Sequence, residues 1–438
     1  PLWGDLCELA RPVTKRTFEL KTPSEIPRLV RRAFHEAMSP PRAPVFISMP
    51  VDILLSASEQ NAITPPSSSP LGAADTAFLR KAAKTLVAAR QPCIIVGNEV
   101  SLFRARKEAV TLAEVVGCPV YCEPLPTGVN FPNRHPHYAG VLPLDLHKAS
   151  AKLRGFDVIL VLGMQTRVPA KHDEPNLISD GSSVIQINVE PGLAGRTLPC
   201  FMSANADIAE SLSRLRAEIQ LIVDSGWVNA AKQRARVTIG EIANARQELE
   251  DQVVYPSPNS AIPLVWLLRL LDASRPRTSI VVNDLVSANA DPLDILNLEG
   301  SSSYFGSNGG IAGHGMAAAL GVQWATPESP VVCITSDSST LYYPQVLWTA
   351  SHYGLHVKFV VVNTMGRNTF NLRLAQIPLS DGRMILDNPA ISLPEMARSM
   401  RVQGATVTTM NSLEPALHKM FETPGPFLLD VHVGESAS

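Results

Sequence analysis

No stretch of the 438-residue sequence reaches the roughly 18 consecutive apolar residues that a membrane-crossing helix needs, so a bilayer span is not expected. Charge of one sign is missing as well. The 38 Lys and Arg against 40 Asp and Glu leave a net −2, which gives no electrostatic reason to expect nucleic acid or an anionic membrane as partner. The opening PLWGDLCELARP lacks both the basic start and the apolar core of a secretory signal. Cysteine is sparse: Cys7, Cys93, Cys118, Cys122, Cys200 and Cys333 are scattered over the whole length. Only Cys118 and Cys122 stand close together, and no second pair follows at zinc-finger spacing, so zinc is not expected. Buried thiols in a cytoplasmic protein are the expectation.

What is present is ordinary globular composition, 45% hydrophobic and 18% charged, in a chain long enough for two or three domains. IPRLVRRAFHEAM (26–38) has helical spacing, and APVFISMPVDI (43–53) reads as a buried strand. One helix and one strand cannot cover both faces of that strand, so residues 1–55 read as the closing part of a domain whose remainder precedes Pro1 or comes from a partner. Residues 56–76, rich in Ser, Pro and Ala, read as a linker. Short apolar runs such as PCIIVGN, PVYCEP, DVILVLG and SVIQINVEP then alternate with amphipathic helices over 77–225. A charged helical connection and second linker occupy 226–262, and the alternation resumes over 263–438 with TSIVVND, PVVCITS, VKFVVVN and PFLLDVHV. The expected fold class is α/β, with two consecutive, mostly parallel-sheet domains after the terminus of a third.

Chemistry concentrates where strands end. PVVCITSD puts Asp337 at the carboxyl end of one strand, and VKFVVVNTMG puts Asn363 and Thr364 at the end of another. In open α/β sheets ligands sit outside these ends. A carboxylate with a neutral side-chain oxygen and a backbone carbonyl suits Mg²⁺, leaving positions for phosphate and water. Ser338, Ser339 and the backbone N–H groups opening a helix over 340–353 suit a diphosphate. The plainer reading is that Ser-Asp-Ser-Ser caps that helix, worth ~1 kcal/mol. Upstream, GSNGGIAGHG (306–315) is a glycine turn feeding another helix. His135 and His137 in NRHPHY read as a satisfied loop pair, since no third metal ligand is placed by sequence.

The order of these pieces resembles the thiamin-diphosphate-dependent (ThDP) 2-oxo-acid decarboxylases and carboligases, the acetolactate-synthase-like enzymes included, and most of all the benzoylformate decarboxylase type. The resemblance is carried by ARPVTKRTFEL, NFPNRHPHYAGVLP, FDVILVLG, SYFGSNGGIAGHGMAAALGVQWATPE and LWTASHYG, and spans nearly the whole chain. It implies a pyrimidine-binding remnant, a middle domain and a diphosphate domain, with thiamin diphosphate and Mg²⁺ as cofactors. It also implies a small 2-oxo acid as substrate and a homodimer or homotetramer.

Carried over residue by residue, the resemblance makes Asp337 a metal ligand, puts Thr364 where the family has a second Asn, and takes a carbonyl from Gly366, with Asn363 as a further residue around the Mg²⁺. Ser287, Gly310, Ser338 and Ser339 fall near the diphosphate. The family's Gly-Asp-Gly-Ser is Ser336-Asp337-Ser338-Ser339 here. The large apolar residue that shapes the cofactor falls at Ala312, beside Ile311, and a catalytic histidine falls at Ala170, with His172 two positions on as a substitute. The family's cofactor-activating Glu has no counterpart among Glu8, Glu19, Glu25 and Glu36, so the chain alone is expected to be impaired. His314, in the glycine turn, is a candidate donor to the diphosphate. Two other readings remain open: a degenerate, non-catalytic member acting as a structural or regulatory subunit, and a nucleotide-binding middle domain. The latter's strand ends, ILVLGMQTR and IQINVEPG, lack a phosphate loop.

Overall fold

The computed structural model describes residues 4–57, 71–165, 176–178, 181–196, 198–252, 256–285, 291–298, 300, 302–307, 309, 312–365 and 391–434. Two six-stranded parallel sheets dominate it, each built from apolar, β-branched runs. In the first, β3 (Pro92–Val96), β4 (Val120–Cys122), β5 (Tyr138–Val141), β6 (Val158–Leu162), β7 (Ser183–Asn188) and β8 (Met202–Asn205) lie in the order β5-β4-β3-β6-β7-β8. In the second, β9 (Ile280–Asn283), β10 (Tyr304–Phe305), β11 (Val331–Ser336), β12 (Val357–Asn363), β13 (Gln403–Val407) and β14 (Phe427–His432) lie in the order β10-β9-β11-β12-β14-β13. Helices cover both faces, which is why PCIIV, VILVL and VKFVVVN are buried along their whole length rather than at alternate positions. The expected α/β class with parallel sheets is the observed one.

Before these sheets, β1 (Arg16–Glu19) and β2 (Val45–Ser48) form a parallel pair joined through helix Ile26–Met38. The run 43–53 is therefore not one strand. Pro50, at φ −57, starts a new helix, Val51–Leu55, because its fixed φ suits a helix entry and it has no N–H to give a sheet. Leu9, Val13, Phe34, Met38, Val51, Leu54 and Leu55 stay exposed around this pair.

Two further expectations change. The spacing of FRARKEAVTLAEVVG predicts a helix over 103–117, which begins only at Arg106 and runs to Val116; a separate short helix, Asn98–Leu102, precedes it, with Arg104 at φ 59 between them. The helix expected over 340–353 is also two, Asp337–Thr340 and Val346–His352. Pro344 lies between, and a proline cannot supply the N–H that would continue the ladder.

The two large sheets are clasped by the motif NRHPHY. Asn133 donates to the carbonyls of Leu293 and Leu296 at 2.7 and 2.6 Å and accepts from the Leu298 N–H at 3.3 Å. The Tyr138 hydroxyl and Val141 N–H both reach Asp294 Oδ1, at 2.9 and 3.1 Å. The histidines are spoken for: His137 Nδ1 lies 2.8 Å from the Cys118 carbonyl and His135 Nε2 lies 3.3 Å from Glu114. No cluster of metal-capable side chains occurs among the described residues, and no helix among them is long and apolar enough to cross a membrane.

Candidate functional site

Because all six strands of the second sheet run the same way, their carboxyl ends share one edge. Asp284 follows β9 there, Ser336 closes β11 and Asp337 follows it, Asn363 closes β12 and Thr364 follows it, and His432 ends β14, with Asp430 two residues inside that strand. Asp337 is only 4% exposed. Its Oδ1 accepts the Ser338 N–H at 2.8 Å, while Ser336 Oγ accepts the Ser339 N–H at 3.1 Å. The capping reading is thus real, but it uses Ser336 and leaves other polar atoms over. Ser339 Oγ and Thr364 Oγ1 are buried and find no hydrogen-bond partner among the described residues. A buried hydroxyl without a partner costs about 1–3 kcal/mol, which is a reason to look for a ligand at this edge.

Asn363 lies in a supporting place. Its Nδ2 donates to Asp430 Oδ1 at 2.8 Å and its Oδ1 accepts the Met365 N–H at 2.9 Å. That second bond holds Met365 at φ 52, a left-handed turn uncommon outside glycine, directly after Thr364. Asp430 in turn has His432 Nε2 3.4 Å from its Oδ2. Burial raises the Asp430 carboxyl above its ordinary range, against the lowering pull of Asn363 and His432.

On the other side of Asp337, Asp284 Oδ2 accepts the Gly313 N–H at 3.0 Å and the Thr335 hydroxyl at 3.3 Å, and His314 Nδ1 stands 3.0 Å from Oδ1. Burial raises this carboxyl too, while those partners and the His314 charge lower it. Asp284 and Asp430 were not singled out from sequence. The signal existed, an acid at the end of or inside an apolar strand in IVVND and FLLDVH, the same signature that marked Asp337.

Of the other sequence candidates, Ser338 is half-buried with its Oγ 3.2 Å from Ser336 Oγ, and Ala312 is half-buried just before the turn. Ser287, Gly310, Gly366 and His172, with Ala170 and Ile311, lie outside the described residues. The donor set fits hydrated Mg²⁺ carrying phosphate: a buried carboxylate on Asp337 and buried hydroxyls on Thr364 and Ser339 at the same sheet edge, all hard oxygens.

In the middle sheet the corresponding carboxyl ends are already filled. Glu123 accepts from the N–H groups of Asn98 and, at 2.9 Å, Gln165, and Glu99 accepts from those of Val189 at 2.7 Å and Glu190 at 2.9 Å. These backbone donors are occupied by the chain's own carboxylates.

A parallel sheet with an acid just after one strand and an Asn closing its neighbour is an α/β edge of the kind at which phosphate-bearing ligands bind. The family model of the thiamine pyrophosphate enzyme central domain matches residues 79–215, and that of the C-terminal TPP binding domain matches residues 293–431. Benzoylformate decarboxylase of Pseudomonas aeruginosa is 28% identical over 433 residues, covering 98% of this chain and 77% of that protein. The acetolactate synthase large subunit of Cyanidium caldarium is 24% identical over 451 residues, covering 99% and 74%. The fold is shared with the solved ThDP-dependent 4-hydroxybenzoylformate decarboxylase of Rhodococcus jostii RHA1, at TM-score 0.80 and 24% identity over 99% of this chain and 79% of that one. The chain belongs to the thiamine pyrophosphate enzyme family, among proteins like benzoylformate decarboxylase and acetolactate synthase.

Proposed function

We propose that this protein is a ThDP- and Mg²⁺-dependent carbon–carbon lyase or carboligase acting on a small 2-oxo acid, and that it works as a homodimer or homotetramer. Its parts would be a segment of pyrimidine-domain type over 1–55, a middle domain over 77–225 and the diphosphate domain over 263–438. The observation that carries the reading is the carboxyl edge of the second sheet, which holds buried Asp337 and two buried hydroxyls, of Ser339 and Thr364, with no partner among the described residues. The similarity to benzoylformate decarboxylase supports the substrate class.

When bound, ThDP supplies the nucleophile and electron sink for bond cleavage next to a carbonyl. The chain's own residues would do the holding. Asp337 would give the metal its anionic ligand and Thr364 a neutral one, with the Gly366 carbonyl completing the set. Asn363, tied to Asp430, fixes the turn that carries Thr364. Ser338 and Ser339, with Ser287 and Gly310, would bind phosphate oxygens. Serines at 336 and 338 add bulk beside the phosphates but also bring hydroxyl donors, so the site is expected to bind more weakly than a glycine-flanked one.

Titration calorimetry with ThDP and Mg²⁺ tests this. Heat of binding that requires both components, and that Asp337→Ala removes, is the expected result. No heat at up to about 1 mM cofactor would overturn it and leave the second reading, a family member kept for its fold. Binding followed by consumption of benzoylformate or pyruvate would fix the substrate class.

A further inference from the structure

The turn Gly313-His314-Gly315 carries chemistry that the metal and hydroxyl assignments leave unused. His314 is the first residue of helix His314–Ala325, whose 12 residues point their positive end at the carboxyl edge of the sheet. Its ring is 38% exposed, whereas the Asp284 carboxylate that it faces at 3.0 Å is 0% exposed. Both glycines are forced by neighbours. A Cβ at 315 would lie 2.4 Å from the Asp284 Cβ, and one at 313 would lie 2.6 Å from the Tyr342 Cβ, at a φ of +97. The turn is therefore wedged between the end of β9 and the segment just after helix Asp337–Thr340. Asp284 is also bonded to Thr335, two residues before Asp337.

A ring that donates from Nδ1 to a carboxylate turns Nε2 to its opposite side, where the doubly protonated form carries an N–H able to meet an anion. The unpartnered hydroxyls of Ser339, 1% exposed, and Thr364 independently mark the same edge as lacking a ligand among the described residues. Asp284 and Asp337 directly follow two strands of this edge and Asp430 lies two residues inside the end of a third, so an incoming diphosphate meets negative charge.

We propose that His314, oriented by Asp284, is an anion-contacting residue of this site that donates a hydrogen bond to the diphosphate group of its ligand. This rests on the cofactor reading above and adds a contact that depends on this chain's own Asp–His pair. The helix end supplies the fixed part of the attraction and His314 the side-chain part.

The probes are Mg²⁺-pyrophosphate and Mg²⁺-ThDP, titrated by calorimetry into wild type, His314→Phe and His314→Gln. His314→Phe should weaken both ligands by about tenfold or more, and His314→Gln, which keeps an N–H donor, by less. Affinities within about twofold of wild type in a folded His314→Phe protein would overturn the proposal. A second measurement needs no variant to fold well. In wild type, the ¹⁵N resonances of the His314 ring should move on addition of Mg²⁺-pyrophosphate, and a ring that stays still while heat shows binding would also overturn it. If wild type itself binds neither probe, the cofactor reading fails together with this one. Binding without any response at His314 removes this proposal alone.

Discussion

At the scale of single residues, the site is a set of atoms whose partners are either fixed inside the chain or missing from its described part. Asp337 and Thr364 were legible because each follows an apolar strand in sequence. That Asn363 is spent on Asp430 and Met365 was not, since a hydrogen bond across 67 positions has no sequence signal. Thr364 offers a shorter and weaker oxygen than an amide would. Thr364→Asn is therefore expected to tighten Mg²⁺ binding in the presence of ThDP by about fivefold, measured by calorimetric titration of the metal. Asn363→Leu should lose that metal response and cost about 1–3 kcal/mol in urea unfolding, because Asp430 is left buried without its amide partner.

Among elements, the long buried strands were readable and the edge strands were not. β8 (MSAN) alternates between exposed and half-buried positions, and β13 (QGATV) has one fully buried residue. Neither needs an apolar run, because sheet hydrogen bonds alone hold an edge. Close approach is equally silent in sequence. Gly97 follows β3 where it meets the end of β6, and a Cβ there would lie 2.2 Å from the Gly163 carbonyl oxygen and 2.4 Å from the Met164 Cα. Both are backbone atoms that cannot step aside. Gly97→Ala should thus destabilise the chain by at least ~2 kcal/mol in urea or thermal unfolding, although alanine is a conservative change on paper.

Across the whole molecule, the clasp between the two sheets governs cooperativity and pH response. Asn133→Ala removes three hydrogen bonds across the clasp, and calorimetric unfolding should then separate into two transitions where wild type shows one. Within the same clasp, burial and then the neighbouring Asp294 push Asp291 from 3.8 up to about 7. A carboxyl that is harder to ionise folded than unfolded takes up a proton on folding. Stability therefore falls as pH rises from about 4 to about 7 and levels off above, with a slope of at most ~1.4 kcal/mol per pH unit from this group. Asp291→Asn should flatten that slope, measured as the urea midpoint at pH 5, 6, 7 and 8. A midpoint that rises with pH across this window would contradict the assignment.

The sequence by itself determined the alternation of buried strands and amphipathic helices, and with it the parallel α/β architecture and the edge on which acids collect. Hydrophobic periodicity is a local property, so it survives in one dimension. Only the tertiary structure decided that NRHPHY clasps the two sheets, that Ser336 caps while Ser339 and Thr364 are left over, and that His314 is seated on Asp284. Each depends on which distant groups meet and how far water is excluded from them. Those are properties of packing, and spacing along the chain does not encode them.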